Sequence, residues 1–198
     1  MPLSLLLVLV VAVGTYVLWT YNRFVRLRQR ADNAFSDVDV QLKRRWDLVP
    51  ALVETVRGYA GHEHEVLAQV VAARGRVMAA GAELQAPGPR GEREADLART
   101  LRRIFVLAEA YPALKADRNF LELHRTLVAV EDDIQNARRY HNAVIRDLNT
   151  LRQSQPAAFV GRLAGVETRG FFQVDGEERA APAVALGPDD SADQEVVS

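Results

Sequence analysis

The sequence predicts an all-α protein: an N-terminal transmembrane helix running into a long antiparallel bundle of about four helices, with a disordered acidic tail. Three observations predict it. Leu3 to Tyr21, "LSLLLVLVVAVGTYVLWTY", holds no charged side chain. After residue 22 apolar residues recur at three and four, the helical spacing, and no stretch keeps a strand's period of two for long. From Phe120 to Leu151 the recurrence tightens into heptads. These breaks divide the chain into an anchor (1–22), a bundle (23–155), a docked C-terminal segment (156–184) and a disordered tail (185–198).

The anchor comes first. Its nineteen residues make roughly 28 Å of helix at 1.5 Å each, close to the ~30 Å hydrocarbon core of a bilayer. Tyr16, Trp19 and Tyr21 stand at its far end, where amphipathic rings settle among lipid headgroups. A cleaved signal peptide is the weaker reading, because no positive residue precedes the apolar run and no small-residue cleavage site follows it. Arg23, Arg26, Arg28 and Arg30 follow the span. By the positive-inside tendency they place a short N-terminus outside the membrane and the bundle in the cytoplasm. The plainer reading is that they only snorkel to headgroups.

Nothing between Tyr21 and Phe24 breaks a helix, so the span continues into a soluble segment. There Phe24, Leu27, Ala31, Ala34, Phe35, Val38 and Leu42 share one side. Asp47-Leu48-Val49-Pro50 is expected to interrupt it, since proline disfavours helix in the residue before it. Asp47 is the expected cap of a second helix running to about residue 84, with a stripe from Leu52 to Val77. "QAPGPRGE", residues 85–92, reads as a turn. A third helix carries Leu97, Leu101, Ile104, Leu107, Ala108 and Tyr111 up to Pro112. The fourth, capped by Asp117 or Asn119, steps through Phe120, Leu123, Leu127, Val130, Ile134, Ala137, His141, Val144, Leu148 and Leu151, a seam with one polar member, and ends at Pro156. "AAFVGRLAGVETRGFF" is expected to dock on the bundle through a short helical turn and the pair Phe171–Phe172.

Composition narrows the function. The 198 residues are 48% hydrophobic and 26% charged, which suits one domain with a sizeable core. Net charge is −1, so no global field favours nucleic acid. The absence of cysteine excludes disulfides, thiolate metal sites and cysteine nucleophiles. Lys43-Arg44-Arg45, at the expected end of the first helix, complements its dipole.

"GHEHE", residues 61–65, looks like a metal site and does not read as one. Two histidines two apart on a helix face different ways, so His62 and His64 cannot converge on one ion. The metalloprotease spacing needs a histidine where Val66 stands. Only His62 and Glu65 share a face, too few ligands for structural zinc. Glu63 falls at the centre of the second helix's apolar stripe, where a carboxylate needs a partner. His141 is the polar residue of the fourth helix's seam. The two are expected to meet in a buried polar layer that fixes bundle register. The rival use is a metal-dependent hydrolase built on His62, Glu63 and His141. Supporting nucleophile, phosphate-loop or paired-carboxylate patterns are missing, so no catalytic residue, metal or cofactor is expected.

The blocks "DVDVQLKRR", "DLVPALVETV", "YAGHE", "EAYPALKA", "NF" and "ARRYHN", in this order behind an N-terminal span, closely resemble the LemA family of bacterial membrane proteins. The resemblance covers about Tyr21 to Val184. The chain departs from it at Trp46, where histidine is common, at His141 and Leu148, where aromatics are common, and at Gly165-Val166, in place of Gly-Phe. The resemblance implies a single-span anchor carrying a helical bundle, with no assigned enzyme activity and a link by association to membrane quality control involving a membrane zinc metalloprotease. The expected role is thus a tethered, non-enzymatic scaffold or adaptor. Its partners are the bilayer, a membrane protein and other copies of itself. The remaining alternative is a membrane-shaping protein with Arg23–Arg30 on anionic lipid.

Overall fold

In a computed structural model, residues 2–60, 62–79 and 87–172 are described. They form six helices and no strand: α1 (Pro2–Arg57), α2 (His64–Ala79), α3 (Pro87–Ala108), α4 (Pro112–Lys115), α5 (Arg118–Gln153) and α6 (Ala157–Leu163). The expected tail and the end of the docked segment lie outside the described residues.

α1 is one helix of 56 residues, about 84 Å long at its usual rise. It carries the apolar span straight into the bundle. The span's side chains are almost all exposed, with only 6% of its apolar window covered by protein. A core helix of a soluble protein would be wrapped by its neighbours; among the described residues this one is left almost bare.

The expected break at Asp47–Pro50 is absent, and Asp47 caps nothing. Pro50 sits inside α1. A proline there leaves the carbonyl four residues back without its amide partner. That carbonyl belongs to Trp46, and Arg74 Nε of α2 donates to it at 2.9 Å. A neighbouring helix thus supplies what the proline withholds, while Val49, Leu52, Val53 and Val56 anchor the turns around it in the core. The helix ends instead at Arg57, where the Val56 carbonyl accepts from both Tyr59 N (3.1 Å) and Ala60 N (2.8 Å). The second helix therefore starts at His64, well after the expected start. α3 begins at Pro87, inside the stretch that reads as a turn.

α1 and α5 pair antiparallel over most of the length of α5. Phe35 meets His141, Arg45 meets Glu131 and Tyr59 meets Asp117, the descending register of such a pair. Asp117 caps α5 by accepting from Phe120 N at 2.9 Å. The heptad residues of α5 from Leu127 to Leu151 are buried, apart from half-buried Ala137.

Two tiers result. In the head, the last part of α1 runs up, α2 down, α3 up and the first part of α5 down. Arg76–Asp96 and Arg103–Gln69 contacts fix the antiparallel α2–α3 register. Leu52, Val56, Leu67, Val70, Leu97, Ile104, Leu114 and Phe120 fill the centre of this four-helix core. Each such side chain stabilises the fold by roughly 1.5–3 kcal/mol through burial. In the foot, nearer the span, α1 and α5 are joined among the described residues only by α6 and the segment after it. There Phe24, Leu27, Leu148, Leu151, Ala157 and Val160 make a separate, smaller cluster.

α6 lies on α1 so closely that a Cβ at Gly161 would come within 2.9 Å of Phe24 Cζ. It closes with a Schellman turn: Gly165, at φ +62°, donates to Arg162 O at 3.2 Å and Val166 N donates to Gly161 O at 3.0 Å. Residues 166–172 then run extended along the seam between α1 and α5. We call this segment the strap.

Candidate functional site

Three places concentrate polar chemistry, and they are spread along the rod. The first is the junction with the membrane. Trp19 and Tyr21 are exposed and Tyr16 half-buried, and Arg23, Arg26, Arg28 and Arg30 all point outward within the turns that follow the apolar run. Arg23 stacks its guanidinium over the Trp19 ring at 5.7 Å. Tyr16, Trp19, Thr20 and Arg23 line one wall of a cleft of about 380 Å³; Asp147, Thr150 and Ser154 from the end of α5 line the other. Thr20 is fully buried, and its hydroxyl finds no hydrogen-bond partner among the described residues.

The second place is the floor of the head. Arg45 is 2% exposed and pairs with Glu94, whose side chain is fully buried, and with Glu131 at 2.7 Å. Arg45 also donates to the Glu94 carbonyl at 3.2 Å, and the Trp46 indole donates to Glu94 Oε2 at 3.2 Å. Gln135 holds the other oxygen of Glu131 at 3.2 Å. Arg45 is therefore not the solvated helix end that the sequence suggests; Lys43 and Arg44 are exposed, but α1 does not stop there. The signal was present. Arg45 continues the seven-residue register Phe24, Ala31, Val38, Leu52 that forms the buried face of α1. Within the described residues, Glu94 Oε1 and Arg45 Nε have no hydrogen-bond partner. A buried pair satisfied only in part adds little net stability, but removing one partner is costly. The contacts tie one turn of α1 to α3 and, through Glu131, to α5.

The third place is the strap. Asn142 and Asn149, one heptad apart on α5, each grip one strap residue by both edges of the side-chain amide. Asn142 donates to Phe172 O and accepts from Phe172 N, both at 2.9 Å. Asn149 donates to Arg169 O at 3.0 Å and accepts from Arg169 N at 3.1 Å. Arg152 Nε adds a bond to Val166 O at 2.6 Å, and the Arg169 side chain pairs with Asp32 of α1. Phe172 is buried, whereas its neighbour Phe171 is exposed. Nothing in the apolar periodicity announced this clasp; two asparagines seven apart in a heptad helix were its trace.

Glu63 and His141 do not form one layer. Glu63 is half-buried in the connection before α2, and accepts from the Tyr111 hydroxyl at 3.1 Å. That bond pushes the Tyr111 phenol above its ordinary value. Glu63 is not at the centre of a helical stripe, because no single helix runs from Leu52 through it: α1 ends at Arg57 and α2 begins at His64. His141 is buried and sits edge-on to Phe35 and Phe172, at 5.9 and 4.9 Å between ring centres. From Asp117, which bonds Tyr59 near Glu63, to His141 is 24 residues of α5, about 36 Å. Burial pushes His141 below its ordinary value, against a smaller upward pull from the Asn142 hydrogen bond, and the Arg169 charge adds a lesser push downward. Its neutral ring is an apolar filler of the seam with one contact to Asn142 Oδ1 at 3.5 Å.

His62 and His64 are both exposed. Among the described residues, no three of His, Asp and Glu come together as a bound metal ion would need. What the buried polar groups can do is hold elements in register.

Relatives support the same view of the chain. It is 23% identical over 186 residues to magnetosome proteins MamQ 1 and MamQ 2 of Paramagnetospirillum magneticum, covering 83% of this chain and 68% of each relative. The match to magnetosome protein MamQ of Magnetospirillum gryphiswaldense is also 23%, over 197 residues, 86% of this chain and 72% of that protein. The LemA family model matches residues 34–186, nearly all of the bundle and the strap. With its N-terminal apolar helix and all-helical body, the chain is a membrane-associated protein that belongs to the LemA family.

Proposed function

We propose that the protein is a non-enzymatic scaffold or adaptor, tethered by α1, that holds a four-helix head at a fixed height above the bilayer. One observation carries this reading: the helix that spans the apolar segment is the same helix that forms the core of the head. Movement or force at the head is thus transmitted to the anchor without a hinge. The buried charged groups bond to each other, which suits cohesion and leaves little to offer a substrate. The arginines after the span favour a cytoplasmic head.

The head's outer surface carries isolated exposed apolar side chains, Val71, Val106 and Val128 among them, which suit a membrane-protein partner or a second copy of the chain. In line with the family resemblance, a membrane zinc metalloprotease and its quality-control substrates are the first partners to test. A photoactivatable side chain at Val71, Val106 or Val128 of the full chain, irradiated in intact bacterial membranes, tests the reading. Recurrent adducts to particular membrane proteins or to the chain itself are expected. Adducts spread over bulk protein in proportion to abundance would contradict it, as would turnover of a substrate by the purified chain.

A further inference from the structure

Among the described residues, none packs on the outer face of α6. Phe159 is 65% exposed and Leu163 is 89% exposed, four residues apart on one side of the helix. Ala157, Ala158, Val160 and Gly161 cover the other side and pack inward. Single exposed apolar residues are ordinary on any surface, as in the head. Here two large ones share a turn.

Their place in the fold says what covers them. Gly161 rests against the ring of Phe24, three residues or about 4.5 Å beyond the end of the apolar run at Tyr21. Ala157 shares a cleft with Tyr16 and Trp19, rings at the height where a span leaves hydrocarbon for headgroups. α6 therefore sits at headgroup level beside the span, with Phe159 and Leu163 turned away from the bundle. Arg162, exposed between them, has the long stem that lets a charge reach the wet side of an interface.

From this juxtaposition we infer that α6 is a second membrane contact, with Phe159 and Leu163 buried at the headgroup–acyl boundary of the leaflet on the bundle's side. A helix of seven residues would not hold a bilayer by itself. It does not need to, because the span keeps it at high effective concentration beside the lipid. The consequence is orientational: a span alone can rotate and tilt, whereas a span with a lateral foot sets which face of the rod looks along the membrane.

The inference rests on the anchored reading above, and the test separates the two. The chain has no cysteine, so single-cysteine variants carry one label each. Leu163→Cys, Phe159→Cys, Val106→Cys in the head and Leu9→Cys in the span are labelled with a nitrobenzoxadiazole dye. The full chain is then placed in phosphatidylcholine–phosphatidylglycerol vesicles. All four positions are exposed, so the fold tolerates them. Spin-labelled lipid is expected to quench the dye at 163 and 159 several-fold more than at 106, with iodide showing the reverse order. If iodide reaches 163 and 159 as readily as 106 while position 9 stays in lipid, the foot is wrong and the anchor stands. If 163 and 159 are shielded from both quenchers, protein covers α6 and the inference falls. If position 9 is open to iodide, both readings fall.

Discussion

The head and the foot share α1 and α5 yet are held by different means. Above Arg45 four helices enclose Leu, Ile and Phe side chains in one large core cluster. Below it α1 and α5 face each other, first across Val38, Leu42, Val130 and Ile134 and then, nearer the span, across alanines of α1. Ala31 lets the helices approach at Val144 and Ile145, and one flank of the seam would lie open. The strap covers it, held by backbone bonds to Asn142 and Asn149 and by the Phe172 ring. A four-helix core stabilises itself by area; a two-helix seam needs a third strip of chain, and an extended strip must have its backbone groups satisfied by side chains. The buried Arg45–Glu94 pair, joined at its edge by the part-exposed Glu131, stands where one arrangement gives way to the other.

The largest effect should come from that junction. Arg45→Leu leaves the Glu94 carboxylate buried without its cation, which costs about 3–5 kcal/mol. Thermal unfolding of the full chain in detergent should show it, with the head melting first. Arg45→Met combined with Glu94→Leu should recover most of the loss, because an apolar pair of similar volume replaces a buried ion pair at little cost. If the single variant melts like the parent, the junction is not what sets the register.

Gly161→Val breaks the comparison from the other end. It drives a side chain into the Phe24 ring and should cost about 1–3 kcal/mol, confined to the foot. Hydrogen exchange should speed up in α6 and leave α2 and α3 unchanged. Equal acceleration in the head would show that the tiers are not separable.

Asn142→Ala removes two bonds to Phe172, worth roughly 0.5–1.5 kcal/mol each. The amides of residues 166–172 should lose protection while those of α5 keep theirs. A strap that stays protected is held by Phe172 packing alone.

Acid should act on the same place. The folded His141 takes up a proton less readily than the unfolded one, whose ordinary value is about 6.5. Above that value there is no effect. As pH falls through it the unfolded chain gains a proton first, and stability declines until the folded ring protonates too. Strap protection should therefore fall between neutral pH and pH about 5, and His141→Phe should flatten the dependence. Arg138 over the Phe172 ring and Arg169 beside the seam add to the cost of a second charge there, while Asp32 partly offsets it.

Much of this was legible in the sequence because it is periodic. The charge-free run, the α1 stripe from Phe24 to Leu42 and the heptads of α5 all appear where spacing put them. What was not legible depends on contacts distant in sequence. A rule about Pro50 knows only its neighbours, and the group that rescues Trp46 O is Arg74 on another helix. Arg45 was hidden by the charges beside it, although its register with Ala31, Val38 and Leu52 marked it as inward-facing. Glu63 was assigned a face on a helix that does not extend to it. The strap, with no period at all, could be foreseen only as apolar residues in need of a dock.

The central claim is that α1 is a single rigid member from the bilayer to the head. Nitroxides on a Val25→Cys/Glu54→Cys variant of the full chain in lipid nanodiscs, both sites being exposed, test it by electron–electron dipolar spectroscopy. An unbroken helix puts 29 residues between the labels and predicts one narrow distance near 44 Å. A broad distribution, or a distance well short of that, would place a joint at Asp47–Pro50 and contradict the account.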